Sequence, residues 1–544
     1  MESCMATSSA AALSSTPTSI FSQLLHVLLV SQCTLSKNED YPMDRTEEIL
    51  ASGMKFDFVI AGAGTAGTIL AHRLTEVPDW NVLLIEAGED PVAETDVPGL
   101  MLFLFGEIQD YAYKVELQEG VCQGMNNKRC RWSKGKALGG SSVINAMLHV
   151  FGNDRDYNEW ANMGNTGWSY EEVLPYFRKS MNCPHDFVKK WGSKYFGTGG
   201  PMNLRNYNYT MTNMQEVILD AARELGLNVL EPLIGDRFVG YGKSLGPKKH
   251  LEDMGIPVLT DLPVGKNLQD HIVWLGMHIG YLNESVAPVP PTYAMDITYE
   301  YLVHKSGELA SVGIDLLGFI NVADPNPKYP DIEIDFGHFP RWNMFKIGTL
   351  LKGFDVEETL IHEIFKKNMD MDLIIPCTIL LKPKSRGKLE LRSIDPADPV
   401  KIYANYFTEE EDMKTLLKTT NQIKSMLKTE TMKKYGMSLQ HFDIPGCRHT
   451  KPDSDAYWEC SARHLAASLF HAVGTAKMGP AGDPTAVVDP RLKVHGIERL
   501  RVIDASIMPN ITSGNTNAPT MMIAEKGADM IKEDWKKKVT RQEL

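Results

Sequence analysis

A glycine-rich turn between two short apolar runs constrains this chain more than any other feature. Residues 56–88 read FDFVIAGAGTAGTILAHRLTEVPDWNVLLIEAG, in which Gly62, Gly64 and Gly67 have the spacing G-x-G-x-x-G. The apolar run before the turn predicts a strand, the helical spacing after it predicts a helix, and VLLI predicts a returning parallel strand. Glu86 follows that strand, where a carboxylate accepts hydrogen bonds from ribose hydroxyls. The stretch therefore predicts a βαβ unit that binds a dinucleotide, either NAD or FAD.

Length and charge narrow the class of protein further. A chain of 544 residues is too long for a single hydrophobic core, so two domains are expected. Its hydrophobic content of 43% and charged content of 23% are those of an ordinary globular protein. The net charge of −13 argues against nucleic acid and against an anionic membrane surface as partners.

The N-terminus differs in composition from the rest of the chain. Residues 20–30 (IFSQLLHVLLV) are mostly apolar, too few to cross a bilayer but suited to the apolar part of a signal peptide. Residues 1–35 are therefore a signal peptide or a disordered leader, and no stable membrane insertion is expected. Glycosylation acceptor sequences at Asn208 and Asn283 are compatible with secretion, whereas the one at Asn510 lies in a stretch assigned below to the active site and is expected to stay unmodified.

Four cysteines occur as two closely spaced pairs. Cys122 and Cys130 bracket QGMNNKR, and Cys447 and Cys460 flank RHTKPDSDAYWE. Two such pairs predict two disulfides and an oxidising compartment, the alternative being free thiols at chance spacing. No metal site is expected, because the chain has no C-x-x-C or H-x-x-x-H motif.

The rest of the chain alternates between hydrophobic patterns typical of helices and patterns typical of strands. PGLMLFLFG predicts a buried helix or an active-site lid, residues 133–148 end in a helix-like pattern, and residues 160–225 predict short helices. Residues 280–450 predict a mixed α/β layer on an antiparallel sheet, with strands at DIEIDFGHF, GKLELRS and LIIPCTILLKP and a surface helix at EEDMKTLLKTTNQIKSML. A final helix is expected from about Ala518.

Four stretches together carry a resemblance to a known family. They are FVIAGAGTAG (58–67), GKALGGSSVINAML (135–148), LPVGKNLQDH (262–271) and residues 470–531, which begin FHAVGTAKMGP and include VIDASIMPNITSGNTNAPTMMIAEKGADMI. From about residue 40 to its end the chain resembles the glucose–methanol–choline (GMC) family of FAD-dependent oxidoreductases, most closely the insect glucose dehydrogenase-like branch. The resemblance favours FAD over NAD as the cofactor.

The resemblance also implies a fold and its domain limits. It implies an α/β chain with a Rossmann-like FAD-binding domain, discontinuous in sequence, and an α+β substrate domain with an antiparallel sheet. The ranges expected for the FAD-binding domain are 50–160, 240–275 and 456–544. Those expected for the substrate-binding domain are 161–239 and 276–455.

Cofactor-binding residues follow from the resemblance, motif by motif. The pyrophosphate would lie against Gly62, Gly64, Thr65 and Gly67, and the adenosine ribose against Glu86. The ribityl chain and flavin would lie along Gly139, Gly140, Ser141 and Asn145. The C-terminal segment would contribute Asp504 and Ala505 at the pyrophosphate, and Asn517, Ala518 and Pro519 at the pyrimidine end of the flavin, where a helix N-terminus stabilises negative charge.

The same motifs imply a catalytic pair. His471, in FHAVGT, matches the family's catalytic base, and a neutral imidazole can accept a hydroxyl proton near neutral pH. Asn515 matches the family's second active-site position, with Asn517 as the alternative. His495 is interpreted as part of a polar turn, and His271 as support for a loop beside the flavin.

The chain departs from the family pattern at single positions. His149 and Phe151 stand where the family usually has Tyr and Arg, which puts the wall of the cofactor site in question. Ala476 stands where a cysteine is common, and that cysteine is not usually catalytic.

A larger departure lies at IGDRFVGYGKSLGPKKHL. Family members have a long segment between the equivalents of Tyr241 and Lys243, and only LGP (245–247) of its ending remains. About eighty residues are absent, enough for several strands at ordinary strand lengths. An internal deletion, by alternative splicing or an error in gene prediction, is the simplest explanation.

Three functional hypotheses follow. The first is a secreted, FAD-dependent enzyme that oxidises the CH–OH group of a small alcohol or sugar and passes electrons to oxygen or a quinone. The second is a catalytically incompetent splice form or pseudoenzyme that cannot hold FAD. The third, an NAD-dependent dehydrogenase, agrees with the glycine turn alone and leaves the C-terminal motifs unexplained.

Overall fold

The computed structural model describes residues 41–204, 214–226, 260 and 262–542, except 285, 291, 305, 315, 325–327 and 396. The N-terminal leader, the sequon at Asn208 and the junction near Tyr241 lie outside the described residues. Within the described ranges, no helix combines the length and the apolar content needed to cross a bilayer.

The helices and strands alternate along the chain. The α-helices are α1 (Thr46–Ser52), α2 (Thr65–Thr75), α3 (Asp154–Asn162), α4 (Tyr170–Ser180), α5 (His185–Trp191), α6 (Met214–Glu224), α7 (Tyr293–His304), α8 (Met344–Gly353), α9 (Glu358–Asp370), α10 (Glu410–Met426), α11 (Glu430–Lys434), α12 (Asp455–Leu465) and α13 (Asn517–Gln542). The strands are β1 (Phe58–Ala61), β2 (Val82–Ile85), β3 (Tyr113–Lys114), β4 (Arg131–Trp132), β5 (Met181–Asn182), β6 (Met202–Asn203), β7 (Ile272–Trp274), β8 (His278–Tyr281), β9 (Leu316–Ile320), β10 (Ile332–Phe339), β11 (Asp372–Leu380), β12 (Lys388–Glu390), β13 (Lys401–Tyr403), β14 (Ser438–Gln440) and β15 (Ala466–Ser468).

The predicted βαβ unit is present at the N-terminal end. Strands β1 and β2 pair in parallel, from Phe58 opposite Val82 to Ala61 opposite Ile85, and α2 connects them. Among the described residues these two strands form a sheet by themselves. Val59 is 61% exposed and Ile85 is 50% exposed, so the unit leaves apolar side chains uncovered.

A seven-stranded antiparallel sheet confirms the antiparallel sheet predicted for residues 280–450. Its order is β14-β8-β11-β10-β9, and β7 joins β11 to β15. Strands β10 and β11 are the longest pair, in register from Ile332 opposite Leu380 to Phe339 opposite Leu373. Strands β7 and β15 lie in ranges predicted for the FAD-binding domain, so the sheet draws on both predicted domains. The predicted domain limits themselves stay a prediction.

Two large hydrophobic clusters form the core. One packs around the seven-stranded sheet and includes Trp274, Trp458 and Ile375. The other packs α3, α4 and α13 and includes Trp160 and Met522. Two cores agree with the expectation from chain length.

The long surface helix appears where the sequence predicts it. Helix α10 begins with Glu410, Glu411 and Asp412 and carries Lys424 in its last turn. Acids at the N-terminus and a base at the C-terminus complement the helix dipole. Buried Leu416 and Ile423 lie two turns apart, on the face that packs on the core.

Two predicted helices are shorter in the structure. Residues Pro98–Phe103 form a 3₁₀ helix rather than a longer buried one. In residues 133–148 a single 3₁₀ turn, Gly140–Val143, replaces the helix-like pattern. The reason is the backbone: Gly139 and Met147 have φ values of 102° and 56°, which a right-handed helix does not allow.

Both predicted disulfides are formed. The Cα–Cα distances are 5.4 Å for Cys122–Cys130 and 5.8 Å for Cys447–Cys460. Nδ1 of His464 lies 3.5 Å from the Cys447 sulfur. Because that sulfur is bonded to its partner, it is not the thiolate that a metal would require.

The sequon at Asn510 lies in the protein interior. Asn510 is 2% exposed, and its carbonyl accepts a hydrogen bond of 3.1 Å from the Trp160 indole. A glycan has no room there, which agrees with the expectation that Asn510 stays unmodified.

Candidate active site

Two glycine turns lie back to back at the start of α2. A Cβ on Gly67 would meet the Gly62 carbonyl oxygen at 1.9 Å, so only glycine permits this approach of helix and turn. A Cβ on Gly140 would meet the Gly64 Cα at 2.7 Å, and Gly64 also forms a β-bridge with Gly139. The backbone is thus bare of side chains where the helix N-terminus begins, as binding of a pyrophosphate requires.

Two polar side chains flank this cradle. The Glu86 carboxylate accepts hydrogen bonds from the backbone amides of Ala63, at 2.7 Å, and Gly88, at 2.8 Å. The Thr65 hydroxyl donates to Oδ1 of Asn517 at 2.8 Å. Because α13 begins at Asn517, this bond holds its N-terminus against the first turn of α2.

The cofactor-binding residues predicted from sequence line or support a single large cavity. The ones that line it are Gly62, Gly64, Thr65, Gly67, Ser141, Asn145, Asp504, Ala505 and Asn517. Glu86, Gly139, Gly140, Ala518 and Pro519 lie behind this lining, in its supporting turns and at the start of α13. The bare double turn, the helix N-termini and the hydroxyl and amide groups fit a phosphate-bearing flavin cofactor.

The cavity is large enough for more than one ligand. Its volume is about 1940 Å³, whereas pockets for single small molecules usually measure about 300–1000 Å³. It extends from β1 and the strip 489–506 at one end to His471 and the face of the seven-stranded sheet at the other. The predicted lid, Pro98–Phe103, forms part of its wall.

Three side chains meet at the inner end of this cavity. Nδ1 of His471 lies 2.9 Å from Nδ1 of His271, and Nε2 of His471 lies 3.3 Å from Nδ2 of Asn515. The structure therefore brings together the two residues predicted as the catalytic pair. Asn517, the alternative partner, is directed toward Thr65 instead.

The hydrogen bonds determine which ring nitrogens carry protons. Nε2 of His271 lies 3.1 Å from the Leu381 carbonyl, which can only accept, so this nitrogen is the N–H donor. Nδ1 of a neutral His271 is then an acceptor, and Nδ1 of His471 must donate to it. Nε2 of His471 consequently bears a lone pair that faces Asn515 and the cavity.

Burial keeps both imidazoles neutral. Burial, and then the charge of Lys382, lower the pKa of His271 to about 3. Burial, His271 and Lys134 together hold the pKa of His471 well below its usual value. A neutral ring whose Nε2 lone pair is held only by the Asn515 amide has the protonation state that a general base requires.

A buried carboxylate fixes the backbone beside the base. Asp270 accepts hydrogen bonds from the His471 amide at 2.8 Å, from the Tyr406 hydroxyl at 2.5 Å and from the Ser468 hydroxyl at 2.6 Å. Phe470 adopts a left-handed φ of 64° there, and Lys134 donates to its carbonyl at 2.9 Å. Asp270 was not predicted from the sequence, although its position next to His271 in LPVGKNLQDH could have indicated a role beside the active site.

The residues that depart from the family pattern pack against apolar neighbours. His149 is partly buried beside Phe151, with ring centroids 5.5 Å apart, and burial lowers its pKa to about 4. Phe151 stacks on Phe177 in the second core. Ala476 is buried, and Nε2 of His495 donates to the Gly479 carbonyl at 3.1 Å, in a turn as predicted.

Comparison with protein families gives two matches. Residues 56–243 and 383–524 match the N-terminal and C-terminal parts of the GMC oxidoreductase family. The first match ends at the junction where the sequence predicts a missing segment.

Individual relatives cover nearly the whole chain. Glucose dehydrogenase [FAD, quinone] of Drosophila melanogaster is 34% identical over 96% of this chain and 93% of its own length, and ecdysone oxidase of Bombyx mori is 29% identical over 95% and 87%. The Drosophila alignment extends over 612 positions, more than the 544 residues of this chain, so it contains gaps on this chain's side. This agrees with an internal deletion.

Solved structures share the fold. A formate oxidase of Aspergillus oryzae has a TM-score of 0.71 at 23% identity, and covers 89% of this chain and 99% of its own. A pyridoxine 4-oxidase from Mesorbium loti has a TM-score of 0.67 at 22% identity, with 87% and 99% covered. With the two family matches and the Drosophila relative, these findings place the chain in the GMC oxidoreductase family, as an FAD-dependent oxidoreductase.

Proposed function

We propose that this chain oxidises the CH–OH group of a small alcohol or sugar, with His471 as the general base and Asn515 as the group that orients the substrate oxygen. The observation that carries the proposal is the hydrogen-bond chain from the Leu381 carbonyl through His271 to His471. It leaves one lone pair, on Nε2 of His471, directed into the cavity.

Each residue has a distinct part in the chemistry. When bound, FAD would supply the acceptor for the hydride that leaves the carbinol carbon. The lone pair of His471 takes the hydroxyl proton, and His271 holds the ring so that this nitrogen faces the substrate. The Asn515 amide donates a hydrogen bond to the oxygen as its negative charge develops. Asp270 keeps the His471 backbone in place.

The cofactor would be held by the double glycine turn. The helix N-termini of α2 and α13 direct backbone amides toward negative charge. Thr65 and Asn517 bond to each other between these two helix ends, so both are positioned before FAD arrives. Glu86 is already held by two backbone amides and would present the same carboxylate to the ribose.

The electron acceptor and the cellular setting belong to the same proposal. The Drosophila relatives are named for a quinone acceptor, which favours a quinone over oxygen here. Two disulfides support a secreted protein, since such bonds persist in oxidising compartments. Comparison of oxygen uptake with reduction of a quinone in the same preparation tests the acceptor.

Replacement of the base tests the central assignment. His471→Ala should slow anaerobic flavin reduction by substrate about 10²–10⁴-fold, the usual effect of removing a positioned general base. His72→Ala, at an exposed histidine of α2, is the matched control and should leave the rate unchanged. An undiminished rate in His471→Ala would show that another group takes the proton.

A further inference from the structure

Aromatic rings line the cavity directly beside the catalytic base. Phe470 precedes His471 in the chain, and both side chains line the cavity. The centroid of the Phe470 ring lies 4.8 Å from that of Phe105 and 5.6 Å from that of Phe354, and these two rings line the cavity as well. A substrate whose hydroxyl group lies at His471 therefore has an aromatic surface next to its carbon skeleton.

The apolar surface continues from these rings to the turn Pro98–Phe103. Phe103 stacks on Phe345 of α8 with ring centroids 5.3 Å apart, and a Cβ on Gly353 would lie 3.0 Å from the Leu102 side chain. The turn and α8 thus pack against each other along the edge of the cavity. We call the cavity-lining side chains of this surface the apolar wall: Leu102, Phe103, Phe105, Leu350, Phe354 and Phe470.

Much of the apolar wall is open to the cavity rather than closed off in a core. Leu102, Phe103, Leu350 and Phe470 are half-buried, and none of them is a predicted cofactor-binding residue. Apolar surface that stays in contact with water is unfavourable, and a ligand that covers it is bound the more tightly for doing so. Contiguous exposed apolar surface in a concave site is accordingly typical of a ligand-binding surface.

The charged side chains that line this end of the cavity, among the described residues, are paired or buried. The Lys134 ammonium group donates to the Phe470 carbonyl at 2.9 Å, and Nζ of Lys346 lies 3.6 Å from the Glu308 carboxylate. Asp335 is 4% exposed. A sugar placed against this surface would lose the hydration of several hydroxyl groups without gaining a partner for each of them, which is unfavourable.

The charges in this part of the cavity also oppose a cationic alcohol. Phenylalanine rings attract a quaternary ammonium group. Lys134 and Lys346 line the same part of the cavity, however, and the Glu308 carboxylate is already paired with Lys346. Like charges repel more strongly where water is excluded, so a neutral ligand suits the site better than a cation.

We infer that the apolar wall binds the carbon skeleton of the substrate, so that the enzyme oxidises a neutral alcohol with a bulky apolar body in preference to a sugar or a cationic alcohol. This inference names a substrate class for the proposed function and rests on it, because His471 defines the reacting end. His471 and Asn515 together serve a single hydroxyl group, which is all that such an alcohol presents.

Two matched pairs of alcohols test the inference on the flavin-loaded full chain. Cyclohexylmethanol and D-glucose each have a CH₂OH group on a six-membered ring, and 3,3-dimethylbutan-1-ol has the shape of choline without its charge. In each pair kcat/KM for flavin reduction should be about tenfold or more higher with the apolar member, since a single well-packed methylene already contributes about that factor. A preference for D-glucose or for choline within its pair would overturn the inference.

A substitution in the apolar wall tests whether the wall itself provides the selectivity. Leu350→Asn places a polar amide on the wall and should lower kcat/KM for cyclohexylmethanol about tenfold, mainly through a higher KM. Ethanol is too short to cover the wall, so its kcat/KM should change by less than about threefold. Leu117→Asn, at an exposed leucine outside the cavity, is the matched control and should leave both values unchanged.

Equal losses with both alcohols in Leu350→Asn would show that the wall does not bind the substrate and would overturn the inference. If Leu350→Asn does not fold, the two pairs of alcohols still decide the matter in the parent chain.

A ligand that cannot react separates the inference from the proposed function. 1-Methylcyclohexanol has no hydrogen on its carbinol carbon, so it can bind but cannot be oxidised. In calorimetry it should bind the flavin-loaded chain with a negative heat-capacity change, as burial of apolar surface requires, and more weakly in Leu350→Asn. Absence of binding would overturn the inference. Binding of this ligand together with flavin reduction by no alcohol would instead contradict the proposed function.

Discussion

At the scale of single residues, one backbone carbonyl determines the chemistry of the site. The Leu381 carbonyl can only accept, and this fixes the protons on His271 and then on His471. The sequence motif FHAVGT identifies the base, but not its tautomer. The tautomer depends on Leu381, which directly follows β11 and lies 90 residues before His471, so no local pattern reveals it.

Substitution of His271 tests whether this residue fixes the tautomer of His471. His271→Leu removes the acceptor for Nδ1 of His471, so the ring can rotate or change tautomer, and flavin reduction should slow about tenfold or more. His271→Asn offers an amide oxygen near the position of Nδ1 and should restore most of the rate. The pH profile distinguishes a positioning role from general damage: its acidic limb should shift in His271→Leu and return toward the parent in His271→Asn. Equal defects in both variants, with an unshifted profile, would contradict the role.

His149 makes a prediction about acid stability. Its pKa is lowered in the folded state to about 4, below the value of about 6.5 expected on unfolding. The unfolded chain therefore binds the proton first as pH falls, and stability is lost by about 1.4 kcal/mol per pH unit between about 6.5 and 4. His149→Phe lacks this term, so its melting temperature should fall less than that of the parent from pH 7 to pH 5. Parallel curves for the two proteins would show that His149 is not buried as a neutral ring.

At the scale of elements, helices and strands with a regular apolar period are predicted correctly from the sequence, whereas turns are not. The βαβ unit, the strand DIEIDFGHF and helix α10 follow from apolar spacing of period 2 or 3.6, because those side chains enter a core. The stretch 133–148 has apolar residues at helical spacing and still does not form a helix. Its glycines are required for the approach to Gly64, a tertiary contact that overrides local spacing.

The disulfides also belong to this scale. In secreted protein both bonds should be found by peptide mapping without reduction, and each closes a short loop, of 8 and 13 residues in separation. Loss of either bond through paired cysteine-to-serine substitution should cost roughly 2–3 kcal/mol of unfolding free energy on the chain-entropy estimate. Denaturant unfolding measures this, with Cys183→Ser, a free and buried cysteine, for comparison. Four free thiols in secreted material would exclude the pairing.

At the scale of the whole molecule, the described residues cover the nucleotide end of the cavity less completely than the catalytic end. The described βαβ unit has two strands, with Val59 and Ile85 exposed, and the cavity runs openly along β1. At the other end His471 is held by Asp270, His271 and Asn515. Sequence resemblance predicted both features, since the missing segment follows residue 241 and the C-terminal motifs are intact.

We expect the incomplete cover at the nucleotide end of the cavity to weaken FAD binding. The pyrophosphate turn and Glu86 remain, but walls around the adenine are lost, so the 544-residue chain should purify with little flavin and express poorly. Insertion of the relatives' segment at Tyr241–Lys243 should restore yellow protein whose absorbance near ~450 nm is bleached by substrate, as a bound, reducible flavin requires. A stable monomer of the chain as it stands, with stoichiometric FAD, would show that the described cradle suffices.

The position of Asp270 has a consequence for how the molecule moves. Its carboxylate joins the His471 backbone to Tyr406 and to Ser468 in β15, and His471 lies where the chain passes from the first core to the second. Because Tyr406 packs in the first core and Ser468 lies in a strand of its sheet, these bonds hold the base to the first core. Any motion of one core against the other on substrate entry should therefore carry the base along with the seven-stranded sheet.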